Sequence, residues 1–178
     1  GGLAVAGALT LDTASTPSGL AVADFNGDGR LDLIVVCQSA NTVDVFLQQA
    51  TGLGAMGLVR VGNVDTPKLA LGVDINLDGR RDLVIGRDGM QDNSLFVLQE
   101  AGGGFETTRR PLVRGSAAVS GIAIGDFIDS GFPGVVVAGN IIGPSGPFRN
   151  ENIVVPPSGN LAFATRQANA LNLDSRAV

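Results

Sequence analysis

The chain has 178 residues, 26 of them Gly, with 44% hydrophobic and 4% aromatic residues and a formal charge of −5. With no His and one cysteine, Cys37, it has no Ser-His-Asp triad, Cys-His dyad, His-based zinc or iron site, intrachain disulfide or multi-cysteine cluster. A single lysine, Lys68, and the negative balance leave no basic face for nucleic acid.

The apolar run Gly1–Leu11 is far shorter than the about 18 to 20 residues that cross a bilayer, so no membrane span is expected. It also lacks the basic start of a signal peptide. Residues 1–15 read as the outer strand of a preceding unit, with the strand itself over Leu3–Leu11.

From Thr16-Pro17 the chain begins to repeat itself. A first unit, 16–65, has strand-like segments at Leu20–Ala23, Leu33–Cys37, Val43–Gln48 and Leu58–Val61. Thr66-Pro67 opens a second unit, 66–115, with segments at Leu69–Val73, Leu83–Gly86, Leu95–Gln99 and Thr107–Val113. A third, degenerate unit, 116–165, offers Ile122–Gly125, Val135–Ala138, Ile153–Val155 and Leu161–Ala164, broken by a Gly/Pro-rich loop at Asn140–Arg149. Residues 166–178 read as a tail. Four short strands in about 50 residues is the signature of a propeller blade. Continuous apolar runs such as Leu33-Ile34-Val35-Val36-Cys37 mean that both sheet faces are covered, as in stacked blades. The expected fold class is all-β, with about three four-stranded antiparallel blades. A β-sandwich would also stack sheets, but it gives no reason for the repeat.

Between the first two strands of each unit lies an acidic loop. The first carries side-chain oxygens at positions 1, 3, 5 and 9, from Asp24, Asn26, Asp28 and Asp32, with Gly29 at the bend and the Arg30 carbonyl at position 7. The second repeats this with Asp74, Asn76, Asp78, the Arg80 carbonyl and Asp82. Alternate residues of a coiled loop converge their oxygens, and calcium takes six to eight of them at roughly 2.3–2.6 Å in a forgiving geometry. An EF-hand would need a bidentate Glu at position 12 and flanking helices, but Val35 and Ile85 stand there. The plainer reading is a pair of Asx-turn loops with solvated acids. Against it, three acids within nine residues repel one another without a cation, and two Ca²⁺ would bring the charge from −5 to about −1. The third loop keeps Asp126 and Gly131 but has Ile128, Ser130 and Gly134 at positions 3, 5 and 9, so no tight calcium site is expected there.

These residues resemble the FG-GAP/VCBS repeat family, the calcium-binding propeller blades also found in integrin α subunits. The likeness rests on Asp24–Leu33, its copy at 74–83 and the Gly102–Phe105 run between blades, and covers roughly residues 16 to 140. It implies a seven-bladed propeller with structural calcium in the loops between the first two strands of certain blades. The ligand roles it implies fall on Asp24, Asn26, Asp28, the Arg30 carbonyl and Asp32, and on Asp74, Asn76, Asp78, the Arg80 carbonyl and Asp82. It further implies a secreted, cell-surface or periplasmic protein that binds other proteins or carbohydrates.

Propellers close with about four to eight blades, so three units are expected either to belong to a longer polypeptide or to be completed by a partner protein or other copies of the chain. The expected function is a non-enzymatic, calcium-stabilised module for protein–protein interaction or assembly. A lectin-like propeller is the alternative, lowered by the absence of Trp and Tyr, and an accessory domain of a polysaccharide-active enzyme ranks last for want of a catalytic constellation. Cys37 reads as a buried small hydrophobe. Arg80-Arg81 and Arg109-Arg110 read as solvated or bridged to loop acids. Phe25, Phe46, Phe96, Phe105 and Phe127 read as packing between blades.

Overall fold

A computed structural model describes residues 10–50, 52–89, 92–114, 117–127, 129, 131–141, 149–150, 153–155 and 166–167. The elements are strands throughout, apart from a 3-10 turn at Gln38–Ala40. The first blade is an antiparallel meander of β1 (Pro17–Ala23), β2 (Asp32–Cys37), β3 (Thr42–Gln49) and β4 (Gly52–Val61), hydrogen-bonded in that order. The second repeats it with β5 (Pro67–Val73), β6 (Asp82–Gly89), β7 (Asp92–Val97) and β8 (Arg110–Arg114). In the third, β9 (Ala117–Gly125) pairs with β10 (Gly134–Ile141). The short strands β11 (Arg149–Asn150) and β12 (Ile153–Val155) pair with β10, and β13 (Arg166–Gln167) pairs with β12. A two-residue ladder, Asp88↔Ala118 and Gly89↔Ala117, stitches the second blade to the third.

The apolar runs of the inner strands explain the stacking. Side chains alternate across a strand, so a strand apolar on both faces must bury both. On β2, Ile34 and Val36 face the second blade and join Val43, Val45, Val61 and Phe25 in a core with Val64, Ala70, Leu83, Ile85, Leu95 and Val97. On β6 the intervening Val84 faces the other way, and with Ile75 and Phe96 it meets Val119, Val135 and Val137 of the third blade. Each fully buried Val, Leu, Ile or Phe contributes about 1.5–3 kcal/mol. The opposite face of the first blade (Val35, Cys37 and Phe46) is covered by Leu11 and Ala14.

The link between the first two blades is gripped by Asn41. This residue takes the left-handed conformation (φ 56°) after the 3-10 turn. Its carbonyl accepts the Val64 N–H at 3.0 Å and its side-chain oxygen accepts the Thr66 N–H at 2.9 Å.

Several boundaries differ from the sequence reading, for identifiable reasons. β1 and β5 begin at Pro17 and Pro67, because proline can open a strand where its nitrogen is not needed as a donor. β7 stops at Val97, and the amides of Leu98 and Gln99 beyond it donate to the carboxylates of Glu106 (3.3 Å) and Asp82 (2.8 Å). β10 runs on through Asn140 and Ile141, where a loop was expected, and β13 lies where a tail was expected. The Gly102–Phe105 run turns within the second blade rather than between blades, with Gly103 at φ 81° donating to the Glu100 carbonyl at 2.9 Å. The expected strand at Leu161–Ala164 lies outside the described residues, as do residues 1–9 of the expected outer strand; Thr10 and Leu11 are in no strand. Among the described residues no helix is long and apolar enough to cross a membrane.

Candidate metal centre

The β1–β2 loop coils around its own acids. The Asp24 carboxylate accepts the amides of Gly27 at 2.8 Å, Asp28 at 3.2 Å and Gly29 at 3.0 Å. The Asn26 side-chain oxygen also meets the Asp28 amide at 3.2 Å, while its NH₂ donates to the Asp28 carboxylate at 2.7 Å. Asp28 in turn accepts the Arg30 amide at 2.9 Å and pairs with the Arg30 guanidinium, whose Nε reaches the Gln48 carbonyl at 3.1 Å. These bonds need two residues with positive φ, Gly27 (73°) and Gly29 (83°), a conformation that costs a side chain about 1–2 kcal/mol.

The β5–β6 loop repeats the arrangement almost bond for bond. Asp74 accepts the amides of Asp78 at 3.0 Å and Gly79 at 2.8 Å. Asn76 donates to Asp78 at 2.8 Å, and Asp78 accepts the Arg80 amide at 2.9 Å and its guanidinium. Arg80 Nε reaches the Gln99 carbonyl at 3.2 Å. At the first positive-φ position Leu77 replaces Gly27 and keeps a positive φ of 57°.

The ninth-position acids stand apart from the others. Asp32 is buried at the start of β2, where its two oxygens accept the amides of Phe25 and Gln48, each at 2.7 Å. Asp82 does the same for Ile75 at 3.1 Å and Gln99 at 2.8 Å. Each therefore closes its loop onto the backbone, tying the loop's second residue to the end of β3 in the first blade and to Gln99, just beyond β7, in the second. Burial pushes the Asp82 carboxyl up to about 6; its two backbone amides oppose this, and the negative charges of Asp78 and Asp74 add to it. The Asp28 carboxyl lies below its ordinary value: desolvation raises it, but the Arg30 amide, Asn26 and the Arg30 guanidinium together outweigh that.

The loops thus bring Asp24, Asn26 and Asp28 together around one amide, and Asp74, Asn76 and Asp78 likewise, with Asp32 and Asp82 set beneath. Among the described residues no three acidic side chains stand close enough to hold a metal ion as placed. The donor set itself is all oxygen, which suits a hard cation. Each ionised carboxylate has lone pairs left after the bonds above. Burial is the main reason Asp82 is raised, and the nearby charges of Asp78 and Asp74 add to it.

The third loop keeps only the frame. Gly131 (φ 77°) donates its amide to Asp126 at 2.7 Å, the counterpart of the Gly29–Asp24 bond, and Gly134 stands in the place of Asp32.

A family model matches the part of the chain that contains the first loop. Residues 16–46 match the FG-GAP repeat. The matched span runs from Thr16 through β1, the acidic loop and β2 into β3. A comparison with curated proteins found no match. The second loop, fifty residues on, repeats the hydrogen bonds of the FG-GAP loop.

An ion pair with one buried partner escaped the sequence reading. Asp44 on β3 is fully buried and lies across from Arg60 on β4, whose Nε and a terminal nitrogen donate to it at 2.7 and 2.9 Å. Asp44 also accepts the Ala14 amide at 2.9 Å, pinning the segment that covers the back of the first blade. Its carboxylate holds the Arg60 guanidinium above its ordinary pKa. Cys37, beside it, is buried, and burial first and Asp44 second push its thiol up, as suits an inert core residue.

The Arg109-Arg110 pair is committed. Arg110 forms a two-pronged pair with Glu106 at 2.9 and 2.7 Å and lies 5.9 Å from the Phe96 ring centroid. Arg109 donates to the carbonyls of Glu106 and, in the interblade link, Gly62. Of the two pairs expected to be solvated or bridged to loop acids, Arg80 bridges to Asp78, whereas Arg109 and Arg110 bond to Glu106 and Gly62 instead.

Proposed function

We propose that the chain is a non-enzymatic, calcium-stabilised stack of FG-GAP-type blades that serves as a binding or assembly module outside the cytoplasm. The observation that carries this reading is the duplication of one coiled, all-oxygen loop at Asp24–Asp32 and Asp74–Asp82, each tied by its last acid to a buried residue at a blade boundary. Calcium would be held by Asp24, Asn26, Asp28, the Arg30 carbonyl and Asp32, and by Asp74, Asn76, Asp78, the Arg80 carbonyl and Asp82. Its contribution is structural: an ion that binds the folded loop and not the unfolded chain raises stability by mass action.

The remainder of the loop's work belongs to the chain. Asp32 and Asp82 fix the amides of Phe25 and Ile75, and those two side chains are buried in the cores that join successive blades. An extracytoplasmic location accords with loops of this kind, since extracellular calcium modules work at dissociation constants of about 10⁻⁴–10⁻³ M. The module's partner completes the stack of blades. Thermal melting tests the reading: the melting temperature falls when calcium is chelated and returns when it is restored. Unchanged melting after verified metal removal would contradict it.

A further inference from the structure

Both acidic loops carry an arginine at position 7 whose side chain is held at two points. Arg30 Nε donates to the Gln48 carbonyl at 3.1 Å, and Arg80 Nε to the Gln99 carbonyl at 3.2 Å. The amides of those same two residues go to Asp32 and Asp82, so Gln48 and Gln99 are bonded to their loops through both backbone groups. From that anchor a terminal nitrogen of each guanidinium reaches across to the fifth-position acid, Asp28 or Asp78.

The carboxylate so reached is one of the proposed calcium ligands. On Asp28 one oxygen accepts the Arg30 amide at 2.9 Å, and the other is shared by the Arg30 guanidinium and the Asn26 NH₂ at 2.7 Å. Asp78 has the same three donors, with the Arg80 amide at 2.9 Å and the Asn76 NH₂ at 2.8 Å. A calcium ion and a guanidinium compete for one carboxylate, since each neutralises it and the two cations repel each other.

The chain supplies two comparisons of its own. In the third loop Ser130 and Phe132 stand at positions 5 and 7, so the arginine is missing where the acid it meets is missing. Phe127, at position 2 of that loop, is 47% exposed with its ring turned back to 3.3 Å from where a Gly125 Cβ would stand, which corrects the expectation that it packs between blades. In the second loop Arg81 follows Arg80 directly, but it is exposed and forms none of the ion pairs among the described residues.

We propose that Arg30 and Arg80 are counter-ions built into the loops, each neutralising its fifth-position acid until calcium displaces the terminal nitrogen from it. The proposal rests on the reading of the two loops as calcium sites and adds a residue that sets their affinity. With Nε anchored on Gln48 or Gln99, only the far end of the guanidinium has to leave. At one position the chain thus carries a carbonyl that favours the ion and a side chain that opposes it.

Calcium titration calorimetry on the full chain tests this, together with melting in EDTA and in saturating calcium. Arg30→Gln/Arg80→Gln should lower the half-saturating calcium concentration about three- to tenfold. Its melting temperature should fall in EDTA and return to the wild-type value in saturating calcium, because the lost contact belongs to the metal-free chain. Arg81→Gln removes a like charge from the second loop and should shift half-saturation by less than about twofold, since an exposed, unpaired charge is screened. Half-saturation that stays or rises in the double variant overturns the proposal, as does an Arg81→Gln effect equal to that of Arg80→Gln alone. If the double variant does not fold without calcium, Arg80→Gln alone decides by the same comparison. A wild type that binds no calcium would overturn the calcium reading and the proposal with it, a result distinct from intact binding without an arginine effect.

Discussion

The carboxylate of Asp32 accepts the backbone N–H of Phe25 at 2.7 Å, so the acid that ends the first loop also fixes the residue whose ring fills the space at Gly72. Loop chemistry and blade packing are thereby joined at one hydrogen bond. The same bond recurs between Asp82 and Ile75.

The socket at Gly72 has no room for a methyl group, with Phe25 Cζ 2.8 Å from the position a Cβ would take. Gly72→Ala should destabilise the chain by about 1–3 kcal/mol through overpacking. Phe25→Ala alone should cost about 3–5 kcal/mol. The double variant should cost less than the sum of the two, since each single change acts on the same contact. Urea denaturation of the four proteins measures the coupling.

Asp32 and Asp28 should separate in metal-free buffer. Asp32→Ala leaves the buried amides of Phe25 and Gln48 without their acceptor, at about 1–3 kcal/mol each. Asp28→Ala loses bonds within an exposed loop and should cost clearly less. Chemical denaturation in EDTA checks the order; equal losses would refute the assignment of Asp32 as the backbone tie.

Leu77 holds a positive φ of 57° while 50% exposed, so its side chain gains little from burial and strains the backbone. Leu77→Gly should raise stability by up to about 1 kcal/mol, the balance of relieved strain and greater freedom in the unfolded chain. A melting temperature that falls on substitution would show that the leucine makes contacts of its own.

Arg60 is half-exposed but its partner Asp44 is fully buried. Arg60→Met leaves Asp44 with the Ala14 amide and a distant Cys37 thiol, and should cost about 2–3 kcal/mol. Adding Asp44→Asn removes the stranded charge and should recover part of that loss. Denaturation of the single and double variants reads both effects.

Much of this architecture was legible in the sequence because repetition and chemistry coincided. Asp24–Asp32 and Asp74–Asp82 announced a duplicated turn, and the apolar run Leu33–Cys37 announced a strand covered on both faces. The roles of the ninth acids were harder to see. A carboxylate at a strand start serves equally as a ligand or as a backbone acceptor, and only the fold brings the Gln48 amide to Asp32 across sixteen residues. Asp44 was hidden because a lone acid in a strand reads as a solvated side chain; the signal was its opposite charge to Arg60 across β3 and β4, which needs the register. Phe46 was expected between blades but is buried on the back of the first, beneath Leu11 and Ala14, because its neighbour Val45 takes the interblade face.

Calcium stoichiometry is the most direct test of the central claim. Equilibrium dialysis of the verified metal-free chain against calcium should give two ions per chain, one in Asp78→Ala, and still two in Asp126→Asn. Calcium that fails to bind at millimolar concentration, or binding that survives loss of both Asp28 and Asp78, would contradict the account.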